Sequence, residues 1–175
     1  MNIFNRLLAV VLLTFCGLAL AGQDGRVEEL SVYDAVRKTL DQYAQSVVTA
    51  DAKLMKQVFH PEAVSLGSFF GGDVAFSSPE GYMTFIENSP ITPAKVGENI
   101  KATVGFIKID GKIASAEMQF ANHWCSSGTN HLGLVEHEGR WKIITMLFWV
   151  RSTPNDVDTS KYPKGYCTAD ALTNN

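Results

Sequence analysis

The chain has 175 residues, 46% hydrophobic and 19% charged, with a net charge of -3 at pH 7. Those proportions fit one ordinary globular domain and exclude a disordered or fibrous chain. The mild acidity and the lack of a Lys/Arg cluster argue against nucleic acid as a partner, and no CxxC or Cys/His zinc spacing is present, so neither a metal nor a cofactor is expected.

Asn2 and Arg6 precede an apolar run from Leu7 to Leu20, and Ala19-Leu20-Ala21 before Gly22 fits a small-residue cleavage site. Residues 1–21 therefore read as a signal peptide removed on export, which places the protein in a periplasm or outside the cell. A run of about 14 residues falls short of the roughly 20 needed to span a bilayer, so no stable membrane anchor is expected after cleavage. A lipid anchor at Cys16 is disfavoured by bulky Phe15, where a lipoprotein signal carries a small residue. Removing Arg6 with the segment leaves a net charge of about -4. Two cysteines remain, Cys125 and Cys167. An even pair in an exported chain can close a disulfide that ties the C-terminal tail to a strand end, the alternative being two unpaired thiols.

Residues 22–30 are polar and read as a flexible arm. Ser31 is the expected cap of a first helix, with Asp34 in a capping-box position. Val32, Val36, Leu40, Tyr43 and Val47 then fall on one helical face, which runs to about Thr49. Asp51 ends that helix and caps a second, whose apolar patch is Leu54, Met55, Val58 and Phe59, until Pro61 stops it. A short strand follows over 63–66, then a glycine-flanked loop or rim carrying Phe69 and Phe70, then a second short strand over 74–76. Ser78-Pro79-Glu80 opens a third helix buried through Tyr82, Phe85 and Ile86. The segment from Ile91 to Asn99 reads as a loop.

From Ile100 the pattern changes to four strands. Asp110-Gly111 is the pair a type I′ turn favours, and it sets an expected register in which Gly105 faces Ala116 and Thr103 faces Met118. One face then holds Ala114, Ala116, Met118 and Phe120, and the other Val104, Phe106, Glu117, Gln119 and His123. The second face is half apolar, which suits cover by a partner subunit. A last hairpin turns over 137–140 into Trp141 to Val150, a strand apolar on both sides and hence central. The tail, 151–175, is polar apart from a docking patch over Tyr162 to Cys167.

This order of elements resembles the NTF2-like superfamily, and more narrowly its lumazine-binding and SnoaL-like branches. The residues that carry the resemblance are Tyr43 eight positions before Asp51, Phe59-His60-Pro61-Glu62-Ala63, Ser78-Pro79-Glu80-Gly81-Tyr82, and Gly139-Arg140-Trp141-Lys142-Ile143. It covers about residues 31–150. It implies an α+β cystatin-like cone in which a curved, mostly antiparallel sheet is wrapped by about three N-terminal helices around a pocket, often with dimerisation through the sheet. Members include isomerases, dehydratases, cyclases, hydrolases and plain binders, so the fold leaves function open.

By this resemblance Tyr43 matches the oxyanion-donating tyrosine of the ketosteroid isomerases, but Gly67 stands at their base and 129–136 contains no Asp. An isomerase of that type is not expected. The catalytic candidates are Tyr43, His123 and His131. The two histidines face each other if their hairpin is symmetric about Ser127, although strand parity puts His123 on the outer face unless a bulge intervenes. Tyr43, Asn122 and Asn130 are the expected polar ligand contacts, with Met83, Phe85, Phe120 and Trp124 as apolar lining, a wall suited to a small hydrophobic or aromatic molecule. The expectation is an exported, non-catalytic small-molecule-binding domain, dimeric through its sheet. The alternative is a lyase, isomerase or hydrolase using Tyr/His acid–base chemistry.

Overall fold

The structure, a computed structural model, describes residues 31–89, 91–153, 157–164, 166 and 167. The expected signal peptide, the arm and about half of the tail lie outside the described residues. By its contacts the chain divides into Met1–Ala35 and Val36–Asn175. In the first unit residues 31–35 are helical, so Ser31, expected as a cap, is itself in helical conformation.

In the second unit residues 36–49 form helix α1. Its expected stripe is the buried one: Val36, Leu40, Tyr43 and Val47 are each at most 5% exposed. Ala50, in the left-handed region at φ 53°, breaks the helix. Asp51 then caps helix α2, Ala52–Val58, by accepting the Leu54 N–H at 2.9 Å. Helix α2 ends before Phe59, which becomes the first residue of strand β1, Phe59–Phe69. This strand is much longer than the sequence suggested, because an irregularity between Phe59 and Val64 absorbs Pro61 and lets pairing run on through Gly67 to Phe69. Phe69 is therefore in a strand, and only Phe70 turns. Strand β2, Ala75–Ser77, pairs back on β1. Helix α3, Pro79–Asn88, starts at Ser78, whose hydroxyl accepts the Gly81 N–H at 2.8 Å.

Strands β3, Lys101–Asp110, β4, Ile113–His123, β5, Ser126–His137, and β6, Arg140–Val150, complete an open six-stranded sheet of order β2-β1-β6-β5-β4-β3. All pairs are antiparallel except β1 with β6, and β6 sits inside the sheet as its two-sided apolarity required. The turn after β5 uses Glu138 and Gly139, both at positive φ as type I′ demands.

The β3–β4 register differs from expectation. The turn is Gly111-Lys112, with Gly111 at φ +57°, so Asp110 pairs with Ile113 and Ile107, not Gly105, faces Ala116. An irregularity between Val104 and Ile107 then shifts the pairing so that Met118 meets Val104. The inner face of β4 is nevertheless Ala114, Ala116, Met118 and Phe120, all buried. Alternation in one strand depends only on its own parity, whereas register depends on the turn.

Candidate functional site

A cavity of about 50 Å³ lies between the inner face of the sheet, α1 and α3. Tyr43 and Val47 reach it from α1, Tyr82 from α3, and Phe120 from β4. Strands β1 and β6 supply Phe69, Met146 and Phe148, and β5 supplies Asn130. None of the described residues lining it is charged.

Its polar centre is Tyr43. The hydroxyl accepts a hydrogen bond from Asn130 Nδ2 at 2.7 Å and donates to Met146 Sδ at 3.2 Å, while the ring stands edge-on to Phe59 and Phe120. Burial drives its pKa far above the ordinary tyrosine value, with nearby Tyr82 adding to the rise and the Asn130 bond opposing it. Burial likewise pushes Tyr82 up to about 12. Both groups are therefore donors at neutral pH, not bases.

His123 reaches this cavity through a break in strand parity. The β4–β5 pairing shifts between Ala121 and His123, and Asn122 sits at φ 55°. Asn122, expected in the pocket, is thereby turned outward; it is exposed and donates to the Asn99 carbonyl at 3.0 Å. His123 is turned inward, where it lines the cavity. Its ring keeps part of its surface open, but Nε2 is enclosed without a hydrogen-bond partner. Burial lowers its pKa to about 4, so the imidazole is neutral at pH 7 and able to accept a proton or a hydrogen bond.

The bend after His123 is held from a distance. Trp124 and Cys125 are both left-handed, at φ 56° and 58°, and the Glu98 carboxylate accepts both their N–H groups at 2.8 and 2.7 Å. Burial raises the Glu98 pKa and these bonds oppose the rise. Cys125 is disulfide-bonded to Cys167, and Tyr166 is wholly buried against Trp124, ring centroids 5.1 Å apart.

This arrangement moves several expected lining residues. Trp124 is fully buried in a neighbouring aromatic cluster with Phe85 and Tyr166, not in the cavity. Met83 faces a separate surface groove beside His60 and Glu80. His131 is not opposite His123: it pairs with Glu117, is exposed, and lies 3.8 Å from that carboxylate. Asn130 pairs with Met118 and Phe148 rather than facing Trp124. Gly67 lies beside Phe148, and a Cβ there would run into the Phe148 ring and carbonyl, so the backbone here has no room for a larger side chain. Tyr82, Met146, Phe148 and Glu98 were not singled out from sequence as site residues. Of these only Tyr82 carried a signal, its place one turn after the Ser78-Pro79 helix start.

Tyr43 and Asn130 orient a hydrogen bond, neutral His123 can take a proton, and aromatic rings exclude water around them. The arrangement can thus grip a polar atom on an otherwise apolar molecule and, at most, move one proton.

Comparison with known proteins agrees with this architecture. Residues 31–149 match the family model described as "Putative lumazine-binding". The chain belongs to that family, and its fold is that of the NTF2-like, cystatin-like α+β proteins. An NTF2-like protein of unknown function from Shewanella baltica OS155 superposes with a TM-score of 0.60 at 22% identity, covering 70% of this chain and 95% of that one. An NTF2-like protein with a cystatin-like fold from Novosphingobium aromaticivorans gives 0.57 at 12% identity over 81% and 94%. Among curated proteins, the aldolase FrzH of Cladobotryum sp is 28% identical over 119 residues, 67% of this chain and 90% of that protein.

Proposed function

We propose that this protein binds one small, largely apolar molecule in the cavity beneath Tyr43 and does so as an exported, non-catalytic domain. The observation that carries the reading is an apolar, aromatic cavity lined by a small polar set, the Tyr43–Asn130 pair and His123, whose Nε2 is enclosed and unpartnered. At about 50 Å³ the cavity is well below the roughly 300 Å³ at which ligand pockets usually begin, so a two-ring heterocycle such as lumazine enters only if Phe69, Phe148 or Tyr82 moves. The Cys125–Cys167 bond supports export, because disulfides persist in oxidising compartments. The outer sheet face supports dimerisation: Leu147 and Trp149 are 54% and 58% exposed beside Phe76 at 87%. Native mass spectrometry of gently purified protein tests all three parts. The expected spectrum shows a dimer, a chain starting at Gly22, and an extra mass lost on denaturation and absent from Tyr43→Ala. A clean apo protein with no mass uptake from a cell extract would sink the binding reading.

A second reading, acid–base lyase chemistry, is favoured by the position of His123 together with the 28% identity to a protein described as an aldolase. Tyr43 would donate to a carbonyl oxygen and His123 would take the proton. Retro-aldol cleavage of 4-hydroxy-4-methylpentan-2-one would then depend on a group titrating at about 4 rather than near 6.5. Turnover equal in wild type and His123→Ala would remove this reading.

A further inference from the structure

We propose that the cavity selects an uncharged, oxygen-bearing ligand and rejects the matching carboxylate or ammonium, with the Tyr43 hydroxyl leaving the Met146 sulfur to bond the ligand oxygen. This rests on the reading of the cavity as a ligand site and adds the chemical class of its occupant.

The polar atoms at the cavity are phenols, an amide, an imidazole and two serines. The Ser65 hydroxyl is already committed to the Ser77 carbonyl. Two ionisable groups that lie or bond beside lining residues, Arg151 after Val150 and Glu98 at the N–H after His123, are turned to other work. Glu98 accepts the N–H groups of Trp124 and Cys125, and Arg151 donates to the exposed Ser127 hydroxyl at 3.0 Å. An ionised ligand group would lose its water here and meet no counter-charge, which is the costly way to bury an ion. A neutral carbonyl, ether or hydroxyl loses far less.

The hydrogen bonds favour an acceptor in particular. Asn130 already donates to the Tyr43 oxygen, which fixes the direction of the hydroxyl proton, and that proton lies on a thioether, one of the weakest acceptors a side chain offers. Exchanging sulfur for a carbonyl oxygen strengthens the bond without leaving any donor unpaired. Met146 is unbranched and flexible, so it can yield space as it yields the proton.

The test titrates the full chain with cyclohexanone, cyclohexanecarboxylate and cyclohexylammonium, reading the methionine methyl resonances, with Met146 assigned by Met146→Leu. The Met146 methyl is expected to shift saturably with cyclohexanone and to need at least about 30-fold more of either ion. Tyr43→Phe, which keeps the ring, is expected to weaken cyclohexanone about tenfold. Equal or tighter binding of the carboxylate or the ammonium would overturn the charge selection and leave the cavity standing as a ligand site. Silence of Met146 towards all three probes would overturn the ligand site itself, and the inference with it.

Discussion

Two side chains let the site be probed one group at a time. His123 has a folded-state pKa of about 4 against roughly 6.5 in an unfolded chain. Above pH 6.5 both states hold it neutral and stability does not change with pH on its account; between 6.5 and 4 only the unfolded state gains the proton; below 4 both are charged. Its contribution is therefore complete above pH 6.5 and lost as pH falls towards 4, by about 3 kcal/mol at most, less because part of the ring surface is open. Urea unfolding at pH 7 and pH 4.5 should show this loss in wild type and not in His123→Phe; parallel losses in both would mean that the imidazole is not buried neutral. Asn130→Ala removes the donor that orients Tyr43 and should cost about 1–2 kcal/mol at pH 7. An unchanged urea midpoint would show that the pair contributes nothing to folding.

Among the elements, the end of β4 decides what the site contains. Three of the four residues 122–125 are in the left-handed region, Asn122, Trp124 and Cys125; Asn122 is a residue type that visits it readily, and the other two cost about 1–2 kcal/mol each. Glu98 offsets part of that cost by taking two N–H groups that the bend withdraws from the sheet. Glu98→Ala leaves both donors without this partner and should destabilise by about 2–4 kcal/mol, with Glu98→Gln milder because the amide oxygen still accepts. Thermal unfolding of the two variants measures it, and equal melting temperatures in all three proteins would refute the clamp. The same element explains what could be read in advance. Val36, Leu40, Tyr43 and Val47 were legible because a helix face is fixed by local spacing, and Ala114 to Phe120 because strand alternation is too. The flip at Asn122 was not legible, since what holds the bend is Glu98, 26 residues away from Trp124, and a disulfide 42 residues long. On β6, Leu147 and Phe148 are both apolar, so composition could not say which faced the cavity; pairing with Gly67 puts Phe148 inside. The Asp110-Gly111 pair misled because Gly111 takes the first rather than the second central position of its turn.

For the molecule as a whole, the Cys125–Cys167 bond joins the site's bend to the C-terminal segment. Around it, the Thr153 hydroxyl donates to the Cys167 carbonyl at 2.8 Å, Tyr162 stacks on Tyr166, and Tyr166 closes over Trp124. This packing is one layer away from the cavity, since Trp124 also touches Phe85, which stacks on the cavity residue Tyr82. Cross-linking a loop of 42 residues stabilises by about 4 kcal/mol in the chain-entropy picture. A Cys125→Ala, Cys167→Ala double variant should therefore melt lower, and its loss should fall first on the tail. Tyr166 buries its whole surface in the cluster around Trp124, and among the described residues 157–167 none pairs with a strand, so the segment can lift while the sheet, paired along six strands, persists. Hydrogen exchange compared between wild type and double variant separates the two levels. The expected pattern is lost protection at Tyr166, Trp124 and Cys125 with β5 and β6 unchanged at pH 7. Uniform loss across the sheet would mean that the bond acts on global stability alone, and that the tail is not a separable cover for the wall behind Tyr82.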